Sequence, residues 1–74
     1  MDEDQLKTLK YFCRYRSVGD LLAYRELKAL YKVKDPVKTI ASLVELGLIV
    51  KGQGCYSISK DLLEKIRKLG VKLE

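Results

Sequence analysis

Residues 24–59, YRELKALYKVKDPVKTIASLVELGLIVKGQGCYSIS, decide the fold of this chain, because they spell two short helices, a tight turn and a hairpin. The sharpest signal in the stretch is Asp35-Pro36. Aspartate is a strong N-cap, since its carboxylate accepts from backbone N–H groups that the first helical turn leaves unpaired. Proline suits the next position, where its missing N–H costs nothing. A helix is therefore predicted to start at residue 36. Lys32-Val33-Lys34 leaves a turn of about three residues before it, the spacing of two helices packed at a steep angle, and Val33 is the natural plug for that turn.

Working forward, a helix over 36–46 places Pro36, Ile40, Leu43 and Gly47 on one line, with Val37 and Val44 on its flank, and that line is the expected core face. The opposite arc carries Asp35, Lys38, Ser42 and Glu45, with Ala41 at its edge. One lysine, no arginine and two carboxylates make a modest polar surface. Gly47 ends the helix, and Leu48-Ile49-Val50 and Cys55-Tyr56-Ser57-Ile58 read as paired strands joined by Lys51-Gly52-Gln53-Gly54, whose glycines allow a tight hairpin.

Working backward, Leu6, Leu9, Phe12 and Cys13 fall on one helical face behind the acidic cluster Asp2-Glu3-Asp4. That first helix is expected to end near Ser17-Val18-Gly19, with Gly19 closing it in the left-handed conformation. Leu21-Leu22-Ala23 predicts a small first strand, and a second helix from about Tyr24 would turn Leu27, Leu30 and Tyr31 inward and Arg25 and Lys28 outward. Residues 60–69 predict a fourth amphipathic helix, with Leu62, Leu63, Ile66 and Leu69 opposite Lys60, Glu64, Arg67 and Lys68, capped by Ser59 and closed by Gly70.

Tyr24-Arg25-Glu26-Leu27 opening one helix, Asp35-Pro36 opening the next, and Leu43-Val44-Glu45-Leu46-Gly47-Leu48-Ile49 leading into a Gly-Gln-Gly hairpin together resemble the winged-helix superfamily. The likeness is greatest to small bacterial and archaeal transcription regulators and covers nearly all of residues 5–59. It implies a mainly α protein with a small β-hairpin (α+β): a three-helix core plus wing at 5–59 and a C-terminal helix and tail at 60–74, forming a single domain over 1–74. It also implies DNA contacts from the first turn and outward arc of the third helix, which by position are Lys34, Lys38 and Ser42. The hairpin at 51–54 fits a wing touching backbone or minor groove through Lys51 and Gln53, and Arg14, Arg16, Arg25, Lys28 and Lys32 are candidate phosphate contacts. A terminal helix is similar to the dimerisation element of many such regulators, giving an expected homodimer through Leu62, Ile66 and Leu69; the alternative is that this helix covers the domain's own core.

Composition bounds the function. At 74 residues, one small domain is expected, with no room for a deep catalytic cleft. The chain has no His, Trp or Asn, and so no imidazole base, no Ser-His or Cys-His pair, and none of the common zinc sets that need histidine. No enzyme activity, cofactor, metal or small-molecule substrate is expected. No apolar run approaches 18 residues and the acidic start lacks the pattern of a signal peptide, so the expectation is no membrane and a cytoplasmic, nucleoid-associated protein. A third of the residues are charged and heat-labile side chains are scarce, a pattern that suits a thermophile. Cys13 and Cys55, 42 positions apart, are read either as a disulfide between first helix and hairpin or, preferably, as two half-buried thiols.

Net charge is +5, and residues 5–59 carry ten cations against four anions while residues 1–4 carry three acids and no base. A basic body invites nucleic acid through counterion release. The leading expectation is thus a transcriptional regulator bound to double-stranded DNA, with the 36–46 helix in the major groove. The alternative is a protein-interaction winged helix, an adaptor in a transcription or replication assembly, motivated by the weakly basic third helix and its apolar flank Val37, Ala41 and Val44.

Overall fold

A computed structural model describes residues 2–62 and 64 of the chain. The first helix, α1 (Glu3–Tyr15), begins at a capping box: Gln5 N donates to Asp2 Oδ1 at 2.8 Å, and Asp2 N donates to Gln5 Oε1 at 3.0 Å. Two donors that the first turn would leave orphaned are satisfied, and Glu3 and Asp4 complement the positive end of the helix dipole. The face it buries is Thr8, Leu9, Tyr11 and Phe12. Leu6, expected inside, is 45% exposed.

The helix stops at Tyr15, earlier than Gly19 suggests, and Ser17–Gly19 forms strand β1. Gly19 does not close α1 in the left-handed region; it sits at φ −60°, ψ 144° and caps the following helix. The physical reason is pairing at a distance. Val18 is buried opposite Tyr56 on a later strand, and that ladder outweighs a weak local glycine signal.

Helix α2 (Asp20–Ala29) then absorbs Leu21-Leu22-Ala23, which is not a strand. Ala23 and Leu27, one helical turn apart, are fully buried, while Leu21 and Leu22 point to solvent. A run of three apolar residues is ambiguous by itself; the period set by Ala23 and Leu27 resolves it as helix. Leu30, expected inside, is exposed at the helix end. Val33 does plug the turn, buried and donating its N–H to Leu27 O at 3.0 Å.

Helix α3 (Pro36–Glu45) starts as the sequence indicates: Asp35 Oδ1 accepts from Lys38 N at 3.1 Å, and Pro36 takes the first position. Pro36, Ile40 and Leu43 are buried. Gly47 is exposed and off the core line, and its φ of +76° is the left-handed closure that glycine permits without strain.

Strands β2 (Ile49–Lys51) and β3 (Cys55–Ile58) complete the fold, so the small hairpin expected from sequence is part of a three-stranded antiparallel sheet in the order β1-β3-β2. Lys51 belongs to β2, which shortens the connection to Gly52–Gln53–Gly54. Ser17 pairs with Ser57 and Gly19 with Cys55 on one side of β3; Ile49 pairs with Ile58 and Val50 with Ser57 on the other. Val18, Tyr56, Ile58 and Ile49 join Leu9, Tyr11, Phe12, Ala23, Leu27, Val33, Ile40 and Leu43 in the core cluster. Each large apolar side chain fully buried there contributes on the order of 1.5–3 kcal/mol.

Residues 60–62 and 64 are helical, and Leu62 packs against the core. Of the three residues expected at a dimer contact, Leu62 is thus used by its own domain, while Ile66 and Leu69 lie outside the described residues. Cys13 and Cys55 are free, half-buried thiols, and burial pushes the Cys13 thiol up from its usual range.

Candidate functional site

The interior leaves little chemistry unspent. Tyr11 Oη donates to Glu26 Oε1 at 2.6 Å, tying α1 to α2. Burial first, and then this hydrogen bond and the carboxylate charge, hold the Tyr11 hydroxyl well above the usual tyrosine range. The ring also packs edge-on against Phe12 and Tyr31. Tyr24 and Tyr56 share a hydroxyl–hydroxyl bond of 2.5 Å between α2 and β3. That bond, with burial adding to it, pushes Tyr24 up to about 12. Among the described residues no buried side-chain polar atom lacks a partner, and no group of three or more Cys, Asp or Glu could hold a metal ion. No described helix is long and apolar enough to cross a membrane.

The surface of α3 is the sequence-predicted site, and the structure divides it. Ser42, half-buried, accepts from Gln5 Nε2 at 3.0 Å and donates to Thr39 O at 2.6 Å, so its hydroxyl is spent inside the protein. Lys34 and Lys38 are exposed, yet they stand beside the acidic start of α1. Lys34 N donates to Asp4 Oδ2 at 3.3 Å, and Asp2 and Gln5 face Lys38, Thr39 and Ser42 across a hollow of about 290 Å³. Carboxylates at this place repel the phosphates that a groove-docked helix needs to approach. What α3 presents openly is the stripe Val37, Lys38, Ala41 and Glu45, with Val37 54% exposed and Val44 half-buried at its margin. Such a face is half apolar and nearly neutral.

The remaining predicted contacts are dispersed. Lys51 lies exposed on β2 and Gln53 at the hairpin tip, where Gly54, at φ +66°, accepts from Asp20 N at 2.9 Å and so pins the tip to the start of α2. Arg14 and Arg16 flank the exposed Tyr15, with the Arg14 guanidinium 5.5 Å from the Tyr15 ring centre. Arg25 and Lys28 are exposed on α2, and Lys32 is exposed in the turn with φ +59°. Sequence reasoning missed Tyr15, Leu22 and Gly19 as surface features. Leu22 and Gly19 were assigned to other elements, and Tyr15 carries no signal of exposure in its spacing.

Fold and surface together define a small α+β domain whose open features are an apolar helix face and a strand edge. The chain belongs to the PolB1 binding protein 2 (PBP2) family, whose model matches residues 2–64. A search of curated proteins gives no match.

Proposed function

We propose that this protein is a non-catalytic interaction module that binds DNA polymerase B1, with the exposed stripe of α3 as part of the contact. The observation that carries this reading is the match to the PolB1 binding protein 2 family over residues 2–64. The surface supports it. Val37 and Ala41 give α3 an apolar centre, as the buried middle of a protein interface requires, with Lys38 and Glu45 as a polar rim. The alternative expected from sequence, an adaptor in a replication assembly, thereby takes precedence over the DNA-binding regulator.

The same reading uses the winged helix-turn-helix for protein contact. It is supported by the order α1-β1-α2-α3-β2-β3, by the α2–α3 turn plugged by Val33, and by the short hairpin behind it. The positive charge of the body then serves solubility and steering toward an acidic partner surface.

Titration against purified PolB1, and separately against mixed-sequence duplex DNA over a range of salt, tests the proposal. PolB1 is expected to bind with shallow salt dependence, and Val37→Asp with Ala41→Asp is expected to weaken that binding about tenfold or more while the fold persists. Duplex affinity that falls steeply with salt, together with no PolB1 binding, would overturn it.

A further inference from the structure

Among the described residues the sheet ends at β1, and no described strand pairs with its outer edge. Arg16 O accepts from Ile58 N at 2.8 Å and Asp20 N donates to Gly54 O at 2.9 Å, so the hydrogen-bonded pairs with β3 are those at residues 16, 18 and 20. In an antiparallel ladder such pairs alternate with pairs whose N–H and C=O point away from the partner strand. Ser17 and Gly19, both exposed, therefore turn their N–H groups outward, toward the free edge.

Two hollows flank that edge, and Ser17 lines both. On one side, Tyr11, Tyr15, Val18, Gly19, Leu22 and Glu26 form a groove of about 360 Å³ between α1 and α2. Tyr15 is 46% and Leu22 53% exposed, and the Glu26 carboxylate in the groove already accepts from Tyr11. On the other side, Arg16 and Lys60 rim a hollow of about 510 Å³ over Val50 and Ser57, on the outer face of the sheet, that reaches down to Ile58. One side is thus apolar and aromatic, the other cationic at its rim.

Gly19 adds an independent observation. Its φ of −60° is open to any residue, and a Cβ built on it would come no closer than 3.9 Å to Gly54 O, an ordinary contact. Nothing within the domain requires glycine there. A glycine on a strand without an internal reason is what close approach by another backbone demands.

We propose that the free edge of β1 takes an extended segment of the protein partner as a fourth strand. The segment places an apolar side chain in the Tyr15–Leu22 groove and carboxylates beside Arg16 and Lys60. Successive side chains of a strand point to opposite faces, so a segment alternating apolar and acidic residues matches both hollows at once. Charge complementarity selects this occupant over a second copy of the chain, whose own net charge is +5. The proposal rests on the reading that PolB1 is the partner, and it assigns a surface other than α3.

Proline at residue 19 is the informative probe, because φ −60°, ψ 144° suits it and the N–H it deletes points away from β3. PolB1 binding is to be measured for wild type, Gly19→Ala and Gly19→Pro, with thermal melts confirming that each is folded. Gly19→Ala, whose Cβ crowds the approaching backbone, should bind about threefold weaker than wild type, and Gly19→Pro, which also deletes the edge N–H, about tenfold weaker or worse. Hydrogen exchange at the Ser17 and Gly19 amides should slow at least about tenfold in the complex. A folded Gly19→Pro that binds like wild type, or unprotected amides, overturns the edge proposal and leaves the polymerase reading standing. No binding by wild type overturns the polymerase reading and this occupant with it, and self-association abolished by Gly19→Pro would reassign the edge to a second copy.

Discussion

The tyrosine-rich interior and the surface of α3 and β1 are built on opposite terms. Inside, Tyr11 finds Glu26, Tyr24 finds Tyr56, and Thr8 donates to Asp4 O, so every buried side-chain polar atom among the described residues has a partner. Outside, Val37, Tyr15 and Leu22 are left about half exposed and the outward N–H groups of β1 are left unpaired. A small domain cannot spare unmade contacts in its core, where an unsatisfied polar group costs about 1–3 kcal/mol. It can hold them on its surface at little cost. The proposed contacts with a partner draw on these surface groups and leave the core untouched.

The contrast can be broken most severely from within. Phe12→Ala removes a fully buried ring from the seam between α1 and the sheet, and is expected to cost about 3–5 kcal/mol, read as a loss of midpoint in urea unfolding. An unchanged midpoint would show that the core lies elsewhere. Tyr11→Phe keeps the ring but strands the Glu26 carboxylate; because Glu26 is only half-buried and water can reach it, the expected cost is about 1 kcal/mol. Asp35→Ala deletes the cap of α3 and should cost about as much, with helical signal lost first from that helix.

Alkaline titration sharpens the same contrast. Tyr24 is raised from 10.0 to about 12 in the folded protein, so folded chains keep a proton that unfolded chains release. Its contribution to stability is complete below pH 10 and is lost as pH rises toward 12, where the unfolded state binds fewer protons. Melting temperature should therefore fall through that window, and Tyr24→Phe should flatten the fall. A slope unaltered by the substitution would assign the proton to another group. The smallest effect belongs to the surface: Val37→Asp should change stability by less than about 0.5 kcal/mol in the same melts while weakening PolB1 binding.

Much of this was legible in the residues because it is local. The Asp35-Pro36 cap, the Val33 plug, the Gly47 closure and the strand at 55–58 each follow from one or two side chains acting on adjacent backbone, and each lies where the sequence puts it. The region from Ser17 to Ala23 was misread for the converse reason. Whether Val18 begins a strand depends on Tyr56, 38 positions later, and whether Leu21-Leu22 is strand or helix depends on which of their neighbours reaches the core. The candidate surface shows the same division. The apolar flank of α3 was visible from helical period, but the covering of Ser42 by Gln5 depends on how α1 crosses α3.

Sequence by itself determined the cap and closure of α3, the Val33-plugged turn before it, the hairpin and the class of face that α3 presents, because these are set by chain stiffness, capping chemistry and period. Only the tertiary structure decided that a third strand pairs with the hairpin, that an acidic helix start lies over the first turn of α3, and that no described strand pairs with the outer edge of β1. Those are contacts between residues far apart in the chain, and no local preference carries the energy of a pairing that does not exist until the chain has folded.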